Sequence, residues 1–150
     1  MISVNVIIDN PKWKKKSINL NKYIKKNISI LSKIPKFKKK NYNFSILFTD
    51  NKKMKTLNYK FRGKNKKTDV LSFPLNKKKK PNQNYLGDIA ISYEFVYNRS
   101  KKTNLFFEID KMWVHGYLHL LGYDHKLSSE YKLMNNREIK ILKYFDHKFV

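Results

Sequence analysis

The chain has 150 residues and no cysteine, and its 34 lysines and arginines outweigh 11 acids to give a formal net charge of +23. Without cysteine, disulfide-stapled folds and cysteine–zinc structural sites are excluded, and no apolar run approaches the length of a membrane span. We expect a single domain over residues 1–150, a cytoplasmic location because no secretory signal opens the sequence, and polyanionic partners such as RNA.

In chain order, the hydrophobic pattern predicts four strands and five helices. The predicted strands are 2–8, 43–49, 68–73 and 86–92, and the predicted helices are 17–31, 51–63, 93 to 98 or 102, 105–121, and 128 or 129 to 144. Ser17, Asp50 and Ser128 or Ser129 are expected to cap three of these helices. A basic loop at 77–81 is the expected flexible segment. The alternation predicts a small α+β domain.

Three of the four histidines fall in one short run, V-H-G-Y-L-H-L-L-G-Y-D-H, as His115, His119 and His125. Residues four apart lie above one another on a helix, so the first two imidazoles can face one metal ion. A left-handed Gly122 just past the last turn would reverse the chain and bring His125 back toward them. The spacing H-x3-H-x5-H therefore predicts a metal site at the end of this helix.

Three imidazoles without a fourth protein ligand are typical of a catalytic zinc site, because structural sites close their coordination with another side chain. The open position would hold water, whose pKa a bound zinc lowers to about 7, so hydrolysis is the expected chemistry. We therefore predict one Zn²⁺ per chain.

Some metalloproteases share this spacing, with a glutamate after the first histidine as the general base. Here that position is Gly116, so hydrolysis of a peptide or amide bond is the weaker hypothesis unless Glu94 or Glu108 lies at the metal. Glycine destabilises a helix, so its presence at position 116 requires an explanation, and two explanations stay open. It gives either room beside the metal for a bulky substrate or close packing of the helix against a neighbour.

Arginine is rare in this lysine-rich chain, occurring only at Arg62, Arg99 and Arg137. At Arg62 the planar guanidinium could bind a phosphate or carboxylate through two parallel hydrogen bonds, as lysine cannot. We favour a substrate phosphate as its partner. The alternative is a structural salt bridge with an acid such as Asp69 or Asp88.

Four segments occur in the same order as in a known family: L-N-Y-K-F-R-G-K, T-D-V-L-S-F-P, L-G-D-I-A-I-S and H-G-Y-L-H-L-L-G-Y-D-H. Over roughly residues 44–144 the chain resembles the bacterial YbeY family of rRNA maturation endoribonucleases. The resemblance implies a sheet of about four strands packed with helices, zinc ligands at His115, His119 and His125, and roles in activity for Arg62 and His115.

The resemblance also implies single-strand-specific, metal-dependent cleavage in 16S rRNA 3′-end maturation and ribosome quality control. Its implied partners are rRNA and the small ribosomal subunit, with a ribosomal protein or a ribosome-associated GTPase as a further candidate. A non-catalytic ribosome assembly factor, in which zinc merely pins the last helices, is a rival hypothesis. Alanine at His115 or Arg62 would leave rRNA maturation intact if that rival were correct.

Two routes of cleavage stay open at such a site. In the first route, zinc polarises a phosphodiester oxygen or activates water, while Arg62 and nearby lysines neutralise the charge on phosphorus. In the second route, zinc orients the 2′-hydroxyl of the RNA as the nucleophile. Metal-bound imidazoles usually donate their second N–H to a carboxylate or carbonyl, so Asp69, Asp88 and Asp124 are candidate supports or bases. Each of these could equally cap a turn or a helix.

Overall fold

A four-stranded mixed sheet forms the centre of the computed structural model, which describes residues 1–14, 19–75 and 84–148. The strands are β1 (Ile2–Ile8), β2 (Tyr42–Thr49), β3 (Val70–Pro74) and β4 (Tyr85–Ser92). They lie in the order β1-β2-β4-β3, with β1, β2 and β4 parallel and β3 antiparallel at one edge. The predicted α+β class with a small four-stranded sheet is confirmed.

Helices cover both faces of this sheet. In the described part of the chain the α-helices are α1 (Leu20–Lys33), α2 (Asn51–Arg62), α3 (Tyr93–Ser100), α4 (Leu105–Leu120) and α5 (Ser128–Lys143), and a 3-10 helix spans Pro11–Lys14. The main core lies between the sheet and helices α1, α4 and α5, and a smaller cluster around Met54, Leu71 and Ala90 lies under α2. Because α4 packs on β3 and β4 and also contacts α3 and α5, eleven of its sixteen residues are buried.

The amino-terminal ends of the helices test the predicted caps. Asp50 caps α2 as predicted, since its Oδ1 accepts a hydrogen bond of 2.8 Å from the Lys53 backbone N–H. The predicted serine cap of α5 was wrong. Helix α1 begins after Asn19, whose side chain accepts from the Lys22 N–H, and the predicted Ser17 lies outside the described residues, as does the loop 77–81.

The predicted serine cap of α5 fails for a local reason. Leu127 occupies the cap position and places both Ser128 and Ser129 inside the first turn. Its backbone N–H instead donates to the Glu130 carboxylate at 3.3 Å, so the acid three residues later stabilises this helix start.

A fully buried carboxylate, Asp110, anchors α4 to its surroundings. It accepts hydrogen bonds from the Tyr23 hydroxyl, the Asn27 amide, the Trp113 indole and the His147 imidazole, at 2.6–3.0 Å. Four donors offset the desolvation that a buried carboxylate otherwise suffers. The network fixes α4 against α1 and the carboxyl-terminal segment, and it places His147, the fourth histidine, away from the other three.

No helix in the described ranges combines the length and apolar character that crossing a bilayer requires.

Candidate metal centre

The end of α4 and the turn after it carry the three clustered histidines. Gly122 has a φ of 100°, a backbone conformation that glycine tolerates and other residues rarely adopt. The Gly122 N–H donates to the His119 carbonyl, and the Tyr123 N–H donates to the Leu118 carbonyl, each at 3.0 Å. These bonds end the helix and reverse the chain, as the sequence predicts.

The reversal brings the third ring beside the first two. The centroid of the His125 ring lies 5.6 Å from that of His115 and 4.9 Å from that of His119. One nitrogen from each of the three residues lies within 4.8 Å of the others, and no carboxylate joins this group among the described residues. The arrangement can hold a metal ion with three protein ligands.

The Nε2 atoms of His115 and His119 face each other at 3.1 Å. Two nitrogens bound to one tetrahedral zinc at about 2.0–2.1 Å are roughly 3.3 Å apart, close to this separation. Each Nδ1 atom faces a hydrogen-bond acceptor, so the ring proton belongs on Nδ1 and both Nε2 lone pairs point into the cluster. Facing lone pairs repel unless a cation lies between them, so the donor set fits Zn²⁺.

The acceptors behind these rings were not among those predicted from the sequence. His115 Nδ1 donates to Glu138 Oε1 at 2.5 Å, and His119 Nδ1 donates to the Tyr123 backbone carbonyl at 2.9 Å. The prediction that each of these imidazoles donates to a carboxylate or a carbonyl is confirmed. The prediction that an aspartate supplies the carboxylate was wrong.

The three predicted aspartates have other partners. Asp69 forms a 2.8 Å salt bridge with Arg99, and Asp124 accepts from the His125 backbone N–H at 2.7 Å. Asp88 accepts from the Tyr85 hydroxyl and does not line the cavities beside the histidines. Asp69 and Asp124 do border the site, where they contribute negative charge without touching an imidazole side chain.

Glu138 could have been found from the pattern of α5. It follows Met134 by four residues and precedes Ile141 and Leu142, all three of which are buried. A carboxylate on the apolar stripe of a helix needs a buried partner. That signal indicates a polar contact but does not name His115 as the partner.

Gly116 packs against the sheet and does not open space beside the metal centre. A Cβ atom at this position would lie 2.8 Å from Ile89 Cγ2, closer than side chains tolerate. The close-packing hypothesis is therefore supported, and the alternative of room for a bulky substrate was wrong. A glutamate could not be accommodated here either.

Neither of the two glutamates considered as a peptidase base lies at the histidines. Glu94 binds Lys12 and the Asn51 N–H, while Glu108 is buried and accepts from the Thr103 hydroxyl. Glu138 touches the far nitrogen of the His115 ring, on the side opposite Nε2. The structure thus offers no support for the glutamate-assisted peptidase.

A cavity of about 690 Å³ opens beside the histidines, and Arg62 lies in its wall. We call it the basic cavity, because its lining includes Arg62, Lys64, Lys66 and Lys126. Arg62 Nη2 donates to the Ser72 carbonyl at 2.8 Å and the guanidinium lies over the Phe73 ring. The alternative of a salt bridge with Asp69 or Asp88 was wrong, because Asp69 pairs with Arg99 instead.

Burial and the neighbouring His115 and His125 lower the pKa of His119. A lowered pKa favours the neutral ring, which is the form that binds a metal. The His125 backbone N–H lowers the pKa of Asp124, so this carboxylate stays ionised at the mouth of the site.

Residues 7–146 match the family model described as Endoribonuclease YbeY. The chain belongs to this family. Among YbeY relatives, the protein described as Endoribonuclease YbeY from Pelagibacter ubique (strain HTCC1062) is 42% identical over 80 residues, which cover 51% of this chain and 52% of that protein. The Blochmanniella floridana protein of the same description is 35% identical over 78 residues, 51% of each chain.

The chain spans about half the length of these curated YbeY relatives. The solution structure of TM1509 from Thermotoga maritima is similar with a TM-score of 0.63 and 24% identity, over 96% of this chain and 88% of that one. This likeness shows a shared fold.

Proposed function

We propose that the chain is a zinc-dependent, single-strand-specific endoribonuclease that acts in the cytoplasm on the 3′ end of 16S rRNA and in ribosome quality control. The observation that carries the proposal is the convergence of three imidazoles beside the basic cavity. Membership of the YbeY family supports RNA as the substrate. Residues 1–150 would act as one domain, with rRNA and the small ribosomal subunit as partners.

Each residue at the site has a distinct part in this proposal. His115, His119 and His125 would hold Zn²⁺, which when bound supplies Lewis-acid stabilisation to the phosphodiester. Arg62 would stabilise the negative charge that grows on the phosphate oxygens, with nearby lysines helping to hold the strand. Glu138 and the Tyr123 carbonyl would keep two imidazoles oriented, with Nδ1 protonated and Nε2 free to bind the metal.

The placement of Arg62 supports its proposed role. Arg62 uses one N–H to bind the Ser72 carbonyl. The two nearby carboxylates bind other groups, since Asp69 pairs with Arg99 and Asp124 accepts from the His125 backbone N–H. A guanidinium held by a neutral backbone oxygen keeps its full charge for an incoming phosphate. Lys64, Lys66 and Lys126 extend this positive lining, so a strand of RNA would meet cations along the cavity.

Partners beyond RNA belong to the same proposal. A ribosomal protein or a ribosome-associated GTPase would deliver the protein to its cleavage site on the small subunit. The rival role as a non-catalytic assembly factor predicts that the histidines matter only for stability. The peptidase has no observation in its favour, since neither of the glutamates considered lies at the cluster.

The test is to incubate purified protein with an RNA from the 3′ end of 16S rRNA, single-stranded or annealed to its complement, with and without a chelator. The proposal predicts cuts in the single strand that disappear with chelator and in His119→Ala. A product ending in a 2′,3′-cyclic phosphate would assign the attack to the 2′-hydroxyl. Cleavage that survives both chelator and His119→Ala would overturn the proposal.

A further inference from the structure

A second cavity, of about 250 Å³, adjoins the histidine cluster between α4 and α5. We call it the flanking pocket, and its lining includes Met112, His115, Tyr131, Met134, Asn135 and Glu138. It shares His115, His125 and Asp69 with the wall of the basic cavity. A polymer bound across the metal centre would therefore enter both cavities at once.

The flanking pocket differs from the basic cavity in charge. Among the described residues that line it are one lysine, Lys111, and two acids, Asp69 and Glu138. The basic cavity instead carries four cations, Arg62, Lys64, Lys66 and Lys126, against two acids, Asp69 and Asp124. Phosphate groups of a bound strand would favour the basic cavity, which leaves the uncharged parts of the same strand for the flanking pocket.

The chemical character of the flanking pocket suits a flat heterocycle. Met112 and Met134 are buried and give it an apolar lining, while the Tyr131 side chain is 60% exposed beside them. Asn135 lines the same pocket and brings a side-chain amide, which can both donate and accept hydrogen bonds. Unstacked RNA bases are recognised by such a combination of aromatic stacking and hydrogen bonding along one edge.

The size of the flanking pocket limits its occupant. Pockets for drug-sized ligands measure about 300–1,000 Å³, so a 250 Å³ cavity takes one ring system and not a whole nucleotide. We propose that the flanking pocket binds the nucleobase adjacent to the scissile phosphate, with Tyr131 stacking on the base and Asn135 binding its edge. This inference rests on the proposed function and adds a source of sequence preference to it.

The experiment pairs changes in the protein with changes in the RNA. A single-stranded oligonucleotide with one mapped cut is prepared with an abasic residue at either nucleotide flanking the scissile bond. The kcat/KM for cleavage of the intact and the abasic RNAs is measured with the zinc-loaded wild type, with Tyr131→Ala and with Tyr131→Phe. Tyr144→Ala, which removes a tyrosine 52% exposed at the other end of α5, is the matched control.

At one flanking position the abasic change should lower kcat/KM of the wild type at least about fivefold, chiefly through KM, as expected for loss of a stacked base. On the intact RNA, the kcat/KM of Tyr131→Ala should be lower than that of the wild type by a similar factor. On the abasic RNA, the kcat/KM of this variant should fall little further. Tyr131→Phe and Tyr144→Ala should behave as the wild type. Zinc content should be unchanged in all variants, which separates a role at the base from a role in the metal centre.

Asn135→Ala supplies a second, independent readout. Across four substrates that differ only in the base at the sensitive position, this variant should flatten the preference shown by the wild type. An abasic residue that lowers kcat/KM equally in the wild type and in Tyr131→Ala would overturn the proposal that the flanking pocket binds a base. An unchanged base preference in Asn135→Ala would overturn it too, and both results would leave the nuclease proposal in place. A wild type that cuts none of these RNAs would overturn both proposals.

Discussion

Glu138 on α5 accepts a 2.5 Å hydrogen bond from His115 Nδ1 on α4, so one carboxylate links the last helix to the metal centre. The bond fixes the orientation of the ring and directs its Nε2 lone pair toward His119. In metal sites such outer contacts raise the basicity of the ligand. Helix α5 is therefore part of the candidate site as well as part of the core.

Replacing Glu138 should weaken zinc binding without unfolding the protein. Glu138→Ala is expected to raise the zinc dissociation constant about 10–100-fold, and Glu138→Gln less, because glutamine keeps an acceptor for the Nδ1 proton. Competition with a chromophoric chelator measures the change. Glu130→Ala, on the same helix but bound to the Leu127 N–H, should leave zinc affinity unchanged. Equal affinities for Glu138→Ala and wild type would show that this contact does not support the metal.

Arg62 should affect catalysis and not metal binding. Arg62→Ala is expected to lower kcat for RNA cleavage about a hundredfold, since it removes a donor that stabilises charge in the transition state. Arg62→Lys should recover only part of the rate, because lysine lacks the planar pair of donors. Lys60→Ala, an exposed cation on the same helix outside the basic cavity, is the control. A full rate in Arg62→Ala would remove this residue from the mechanism.

Gly116 should be required for packing. Gly116→Ala gains helix propensity, yet the new methyl group collides with Ile89, so we expect a net loss of about 1–3 kcal/mol in the free energy of unfolding. Denaturant unfolding measures the loss. In an Ile89→Ala background the same change should cost less, because the colliding atoms are gone. A penalty of equal size in both backgrounds would contradict the packing explanation.

The Asp50 cap should make the stability of the protein depend on pH. Hydrogen bonding to the Lys53 N–H lowers the pKa of Asp50 in the folded state, so its contribution is complete above the unfolded pKa and is lost as pH falls through the folded pKa. Asp50→Ala should cost about 1 kcal/mol at pH 7 and less in acid, whereas Asp50→Asn keeps a cap. Urea midpoints at several pH values measure this. A pH-independent difference would rule out the charged cap.

Within the described residues, the sequence predicted the fold class, the four strands and helices α1 to α5 to within a few residues, because these depend on local periodicity. The convergence of His115, His119 and His125 was also predictable, since it follows from a helical repeat and a glycine reversal. The Asn19 and Leu127 caps were missed because several neighbouring residues compete for such positions. Helix boundaries depend on small differences in energy among these competitors.

The contacts between distant segments could not be predicted in the same way. Glu138 lies 23 residues after His115, and nothing local to either residue pairs them. The fit of Gly116 against Ile89 likewise depends on how α4 lies across β4. Such contacts are set by the packing of whole elements, so a single sequence indicates that a buried acid or a helical glycine needs a partner without identifying it.

The catalytic metal is tested most directly by a zinc titration of metal-free protein, with the rate of single-stranded RNA cleavage as the readout. The rate should be negligible without metal, should rise until one zinc is bound per chain, and should not rise for His119→Ala. Full cleavage by the metal-free protein, or an unchanged titration for His119→Ala, would contradict the claim that three imidazoles hold a catalytic metal.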